Sequence, residues 1–163
     1  MKRLGIVLIL AGFIGVLSLG SSAFAQAGED RLALKGYDPV AYFTEKRPMV
    51  GDAKYQHELD GALYRFASAK HLELFKGDPD RYLPQFKNWC AASVAKGVKV
   101  QGNPEHWLVV DGRLYLFGGQ AGPDLMRADP ETMKSQANAK WPKVSNLPNP
   151  SVSDYTRSSS KPQ

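Results

Sequence analysis

Three side chains carry donor chemistry that a metal ion would use: His57, His71 and Cys90. Two neutral imidazoles and a thiolate form a soft-to-borderline set suited to copper or zinc. Their spacing matches no zinc-finger or zincin pattern, so a site depends on the fold bringing them together. Cys90 has a second chemistry open to it, as a nucleophile with one histidine as base. With one cysteine in the chain, neither a dithiol mechanism nor an internal disulfide is available. Packing competes with each of these roles. A buried histidine is often a hydrogen-bonded core residue, and a buried cysteine behaves as a small apolar side chain. The third histidine, His106, reads as structural or exposed. The residues thus point to a small protein binding a transition-metal ion. A structural or interaction module without a ligand, or a single-cysteine thiol enzyme or redox sensor, is the alternative.

The elements that must position these residues are marked by turn chemistry. Asp60-Gly61 lies between the extended runs Tyr55 to Leu59 and Ala62 to Phe66, and Asp111-Gly112 between Trp107 to Val110 and Arg113 to Phe117. Asp-Gly between extended runs predicts a two-residue type I′ hairpin turn, which sets the register. Leu59 then faces Ala62, His57 faces Tyr64 and Tyr55 faces Phe66, all on one inner sheet face. In the second hairpin Trp107, Val109, Leu114 and Leu116 share an apolar face, with His106 on the other. Ser68 caps a helix from Ala69 to Lys76, with His71, Leu74 and Phe75 turned inward. Asp78-Pro79 starts a short helical turn holding Tyr82. Asn88 caps a helix from Trp89 to Lys96, stopped by Gly97, which puts Cys90 in a positively polarised first turn. Asp129-Pro130 opens a last helix, with Met133, Ala137 and Trp141 stacked, that ends at Pro142. Asp38-Pro39 caps a turn. Gly118-Gly119 and Gly122-Pro123 mark a loop, and no internal repeat of domain scale is evident. Hairpins packed on short helices give a single small α+β domain.

The chain ends read differently from its middle. Lys2 and Arg3, an apolar run from Leu4 to Leu19 and Ala23-Phe24-Ala25 describe a secretory signal peptide over residues 1–25. The mature domain would span 26–143 and be periplasmic or secreted, without stable membrane insertion. The Ser-, Asn- and Pro-rich tail, 144–163, reads as disordered. Cleavage removes two basic and no acidic residues, lowering the net charge from +5 to +3. No basic stripe remains to bind nucleic acid, and neither a phosphate loop nor a Gly-x-Ser-x-Gly elbow is present.

Gly36-Tyr37-Asp38-Pro39-Val40-Ala41-Tyr42-Phe43, His57-Glu58, Phe66-Ala67-Ser68, Asp78-Pro79-Asp80-Arg81-Tyr82 and Cys90-Ala91 occur in that order. The arrangement resembles the YHS-domain family, and in particular its exported bacterial members, over roughly Leu32 to Pro142. The resemblance implies a link to metals, because YHS domains of heavy-metal pumps carry metal-binding cysteines. Here the corresponding positions read Ala41, Ala67 and His71. The all-thiolate site of those relatives does not carry over, and a site in this chain would be built differently.

Overall fold

The computed structural model describes residues 31–150; the expected signal segment, the residues up to Asp30 and the tail from Ser151 lie outside the described residues. The order is a 3₁₀ turn (Ala33–Gly36), α1 (Ala41–Thr44), β1 (Asp52–Leu59), β2 (Ala62–Phe66), α2 (Ala69–Gly77), α3 (Pro79–Tyr82), α4 (Ala91–Ala95), β3 (Asn103–Val110), β4 (Arg113–Phe117), α5 (Ala121–Ala128) and α6 (Pro130–Ser145). Two antiparallel hairpins with helices make an α+β domain, the class expected.

Asp60, Gly61, Asp111 and Gly112 all have positive φ, as a type I′ turn requires. Register near the turns follows the expectation: His57 pairs with Tyr64, Leu59 with Ala62, Trp107 with Leu116 and Val109 with Leu114. Far from the turn it departs. Phe66 pairs with Asp52, not Tyr55, because β1 bulges between Asp52 and Gln56. The Asp52 carboxylate accepts the Lys54 amide N–H at 2.8 Å, a local bond that competes with the ladder.

Caps explain the helices, and the departures from them. Ser68 Oγ accepts from His71 N, Asp78 from Arg81 N and Asp129 from Thr132 N. Asn88 caps no helix; its Oδ1 accepts from Leu34 N, and α4 starts at Ala91 with Cys90 at the N-cap position. The expected loop at Gly122-Pro123 is the first turn of α5, where proline is tolerated because its missing N–H would be unpaired anyway. Helix α6 does not end at Pro142 but runs to Ser145. Val144 is fully buried, and Lys99 Nζ donates to the carbonyls of Ser145 and Leu147. The start of the expected disordered tail is therefore part of the core.

A repeat organises the domain, contrary to the sequence reading. Asp60, Gly61, Leu63, Tyr64, Phe66, Leu74, Asp78 and Pro79 recur as Asp111, Gly112, Leu114, Tyr115, Phe117, Leu125, Asp129 and Pro130, each 51 positions later. The backbone repeats with them. Both hairpins carry the same bulge, each entered through a side chain, Asp52 or Asn103, that accepts an N–H two residues on. Leu34 and Lys35 have positive φ, as do Phe86 and Lys87, here offset by 52. Bridges Leu32–Leu63 and Tyr37–Val50 recur as Pro84–Leu114 and Trp89–Gln101. Asp38 N donates to Met49 O, and Cys90 N to Val100 O, each at 2.8 Å. Residues 32–82 and 84–133 are thus two copies of one unit.

The copies share a core. The second hairpin is covered on both faces: Leu114 and Leu116 pack with Ala33, Leu34 and Tyr42, while Tyr115 and Phe117 pack with Cys90, Val94, Met126 and Ala137. A third cluster joins Val40, Phe66, Phe75 and Tyr82 within the first copy.

Candidate functional site

The three sequence-derived donors go to different surroundings. His57 is half-buried on β1, its ring edge-on to Phe75 with centroids 6.2 Å apart. Cys90 is 5% exposed and belongs to the cluster of Val94, Phe117 and Met126. His71 is buried and pairs with neither; its partner is Asp38. Among the described residues no group of three or more His, Cys, Asp or Glu side chains is arranged to hold a metal ion. The expected His57–His71–Cys90 set is therefore not assembled. Separate apolar clusters hold the elements that carry His57 and Cys90.

What assembles instead begins at Asp38, which is fully buried. Its Oδ1 accepts the N–H groups of Val40 at 2.8 Å and Ala41 at 3.3 Å, and its Oδ2 accepts Ala67 N–H at 2.8 Å. The expected turn-capping role is present. The added partner is His71, whose Nδ1 lies 2.6 Å from Oδ2. A carboxylate offers only acceptors, so Nδ1 carries a proton, and in the neutral ring Nε2 presents its lone pair. Nε2 points to Thr44 Oγ1 at 3.1 Å, with Glu45 Oε1 at 3.7 Å. Thr44 and Glu45 are exposed. Sequence reading missed this group because its members lie up to 33 positions apart. The usable signal was an inward histidine in a helix's first turn and an Asp-Pro capping motif, each needing a polar partner in the core.

The second copy places Cys90 where the first has Asp38, and Gly122 where the first has His71. A polar pair is thereby replaced by a thiol and a glycine. Cys90, Ser93, Val100, Gly118, Gln120 and Gly122 line an open cavity of about 590 Å³. Its rim includes Leu125, which is 51% exposed. Phe117 fills the space that a side chain at 122 would enter, since a Cβ there would overlap it, and this enforces the glycine. The thiol is at the N-cap of a helix only five residues long. The expected position inside the first turn of a longer helix is not adopted.

His106 is half-buried in a separate cleft of about 540 Å³ with Glu105, Trp107, Gln120, Asp124 and Arg127. The cleft's charges are already engaged: Arg127 pairs with Asp124 at 2.6 Å, and Glu105 accepts from Tyr37 OH at 2.6 Å. That hydrogen bond, with a smaller contribution from burial, raises the Tyr37 pKa above the ordinary phenol value.

No protein-family model matches the chain, and neither a curated protein nor a solved structure matches it.

Proposed function

We propose that the chain is a small exported carrier of a thiophilic transition-metal ion, copper(I) before zinc, held at Cys90. The observation that carries this reading is the exchange between the copies of Asp38 and His71 for Cys90 and Gly122, with an open cavity beside the thiol. A thiolate is a soft donor that favours copper(I). One protein donor leaves coordination positions free on the side of the open cavity. A second ligand would enter there from a small molecule or a partner, which suits an ion being passed on. The YHS-like motifs support the same direction: all but Cys90-Ala91 fall in residues 32–82, so we assign that copy as the YHS-like unit and 84–133 as a diverged one.

A second reading, an interaction module without a ligand, is favoured by the packing of Cys90 among Val94, Phe117 and Met126. Titrating the purified chain with copper(I) and zinc, beside Cys90→Ala and a His57→Ala/His71→Ala variant, separates the two. The carrier reading expects one equivalent of copper(I), lost in Cys90→Ala and kept in the double-histidine variant. Equal uptake by the intact chain and Cys90→Ala would defeat it. Loss of stability in Cys90→Ala, with no metal bound by the intact chain, would favour the second reading.

A further inference from the structure

The Asp38–His71–Thr44 line has a chemistry that metal carriage does not use. Its tautomer is fixed. Asp38 Oδ2, 2.6 Å from Nδ1, can only accept, and three backbone N–H groups hold that carboxylate in place. Nε2 is then a base whose lone pair faces Thr44 Oγ1 at 3.1 Å. The hydroxyl has one proton and two acceptors to choose from, since Val40 O lies 3.2 Å away. That carbonyl already accepts from Phe43 N at 3.0 Å and Thr44 N at 3.1 Å. With two lone pairs taken, it is the poorer acceptor, and the proton is directed to Nε2. Carboxylate, imidazole and hydroxyl in a line is the arrangement by which hydrolases activate an alcohol. Here the hydroxyl belongs to an exposed residue, so an acyl donor can reach it from solvent. Glu45 Oε1, 3.7 Å from Nε2, adds negative charge beside the ring once it has taken a proton.

We propose that Thr44 is an activated nucleophile for acyl transfer, with His71 as general base and Asp38 as the residue that positions it. The substrate class is a carboxylic ester with a good leaving group. The exposed cations Lys46 and Arg47 that follow the site favour acyl donors carrying negative charge. As Thr44 Oγ1 forms its bond to the acyl carbon, its proton passes to His71 Nε2. The bond from the acyl carbon to the leaving oxygen then breaks, and that oxygen takes the proton. Water repeats the sequence, giving the carboxylic acid and restoring Thr44. This activity is independent of Cys90 and of any metal.

The test is incubation of the full chain with 4-nitrophenyl acetate, following nitrophenolate release and mapping acetyl groups by peptide mass spectrometry. The expected result is acetylation at Thr44 and release abolished in Thr44→Val but retained in Thr44→Ser. Thr44 is exposed, so neither change threatens the fold. His71→Asn, which keeps a hydrogen-bonding partner for Asp38, should lower release by about 10²-fold, the usual contribution of a general base. Acetylation elsewhere but not at Thr44, or equal release from Thr44→Val and the unchanged chain, would overturn the proposal. So would undiminished Thr44 acetylation in a folded His71→Asn variant.

Discussion

Cys90 sits where an N-cap residue belongs, yet a thiol is a weak acceptor, and no side-chain cap bond forms there. In the other copy Asp38 fills the corresponding position and accepts two N–H groups from the start of α1 and one from Ala67. The same backbone path in the second copy runs through Ala92 and Gly118. A carboxylate at position 90 would therefore enter a site shaped for one. Cys90→Asp is expected to fold with stability within about 1 kcal/mol of the unchanged chain, the N-cap gain offsetting much of the cost of burial. An isolated buried carboxylate without such donors would cost several kcal/mol. Urea denaturation of the two proteins decides it. A loss of about 4 kcal/mol or more would show that the two sites are not equivalent in their hydrogen-bonding capacity.

At the level of elements, α5 is held against β4 by what Gly122 lacks. Its Cβ would meet the Cβ and ring of Phe117, a fully buried side chain with no room to move aside. Gly122→Ala should cost about 1–3 kcal/mol, the usual range for overpacking, and thermal unfolding would show it; an unchanged midpoint would mean that α5 slides freely on the sheet. This helix, like α1, is an element that sequence reading missed. Gly122-Pro123 looks like loop punctuation, while its actual roles are close approach to Phe117 and a first-turn proline; Gly118-Gly119 does mark the loop between β4 and α5. The hairpin turns were legible because Asp-Gly acts locally through positive φ. The Ser68, Asp78 and Asp129 caps were legible for the same reason. The Asp52 and Asn103 bulges were not, since a side chain's choice between the ladder and a nearby N–H is settled by the strand opposite. Nor was the full reach of α6: a proline reads as a stop, but burial of Val144 carries the helix past it. At the site, His71 was correctly placed inward on its helix. Its partner Asp38 was recognised only as a turn cap, because nothing in the spacing of the two ties one to the other.

For the whole molecule, duplication raises the question of whether the halves are two folding units or one. The contacts between them argue for one. Leu114 and Leu116 of the second copy complete the cluster of Ala33, Leu34 and Tyr42 in the first. Tyr42 packs at a tilt against Trp107 with centroids 5.0 Å apart, and its hydroxyl donates to Pro104 O. Leu34 N donates to Asn88 Oδ1, and Arg113 donates to Asp80 O. A first copy standing alone would expose the apolar face that Leu114 and Leu116 cover, and with only about fifty residues it could not bury enough surface to offset its ordering entropy. The tryptophans give a direct test, because all three, Trp89, Trp107 and Trp141, lie beyond residue 83. Tryptophan fluorescence thus reports on the second copy, α6 and the Tyr42–Trp107 contact between the copies, whereas far-ultraviolet circular dichroism reports on both copies. Urea unfolding followed by the two signals is expected to give one coincident transition, as a single cooperative unit requires. Two separated midpoints would mean that the copies unfold independently, and that burial across their boundary contributes less than these contacts imply.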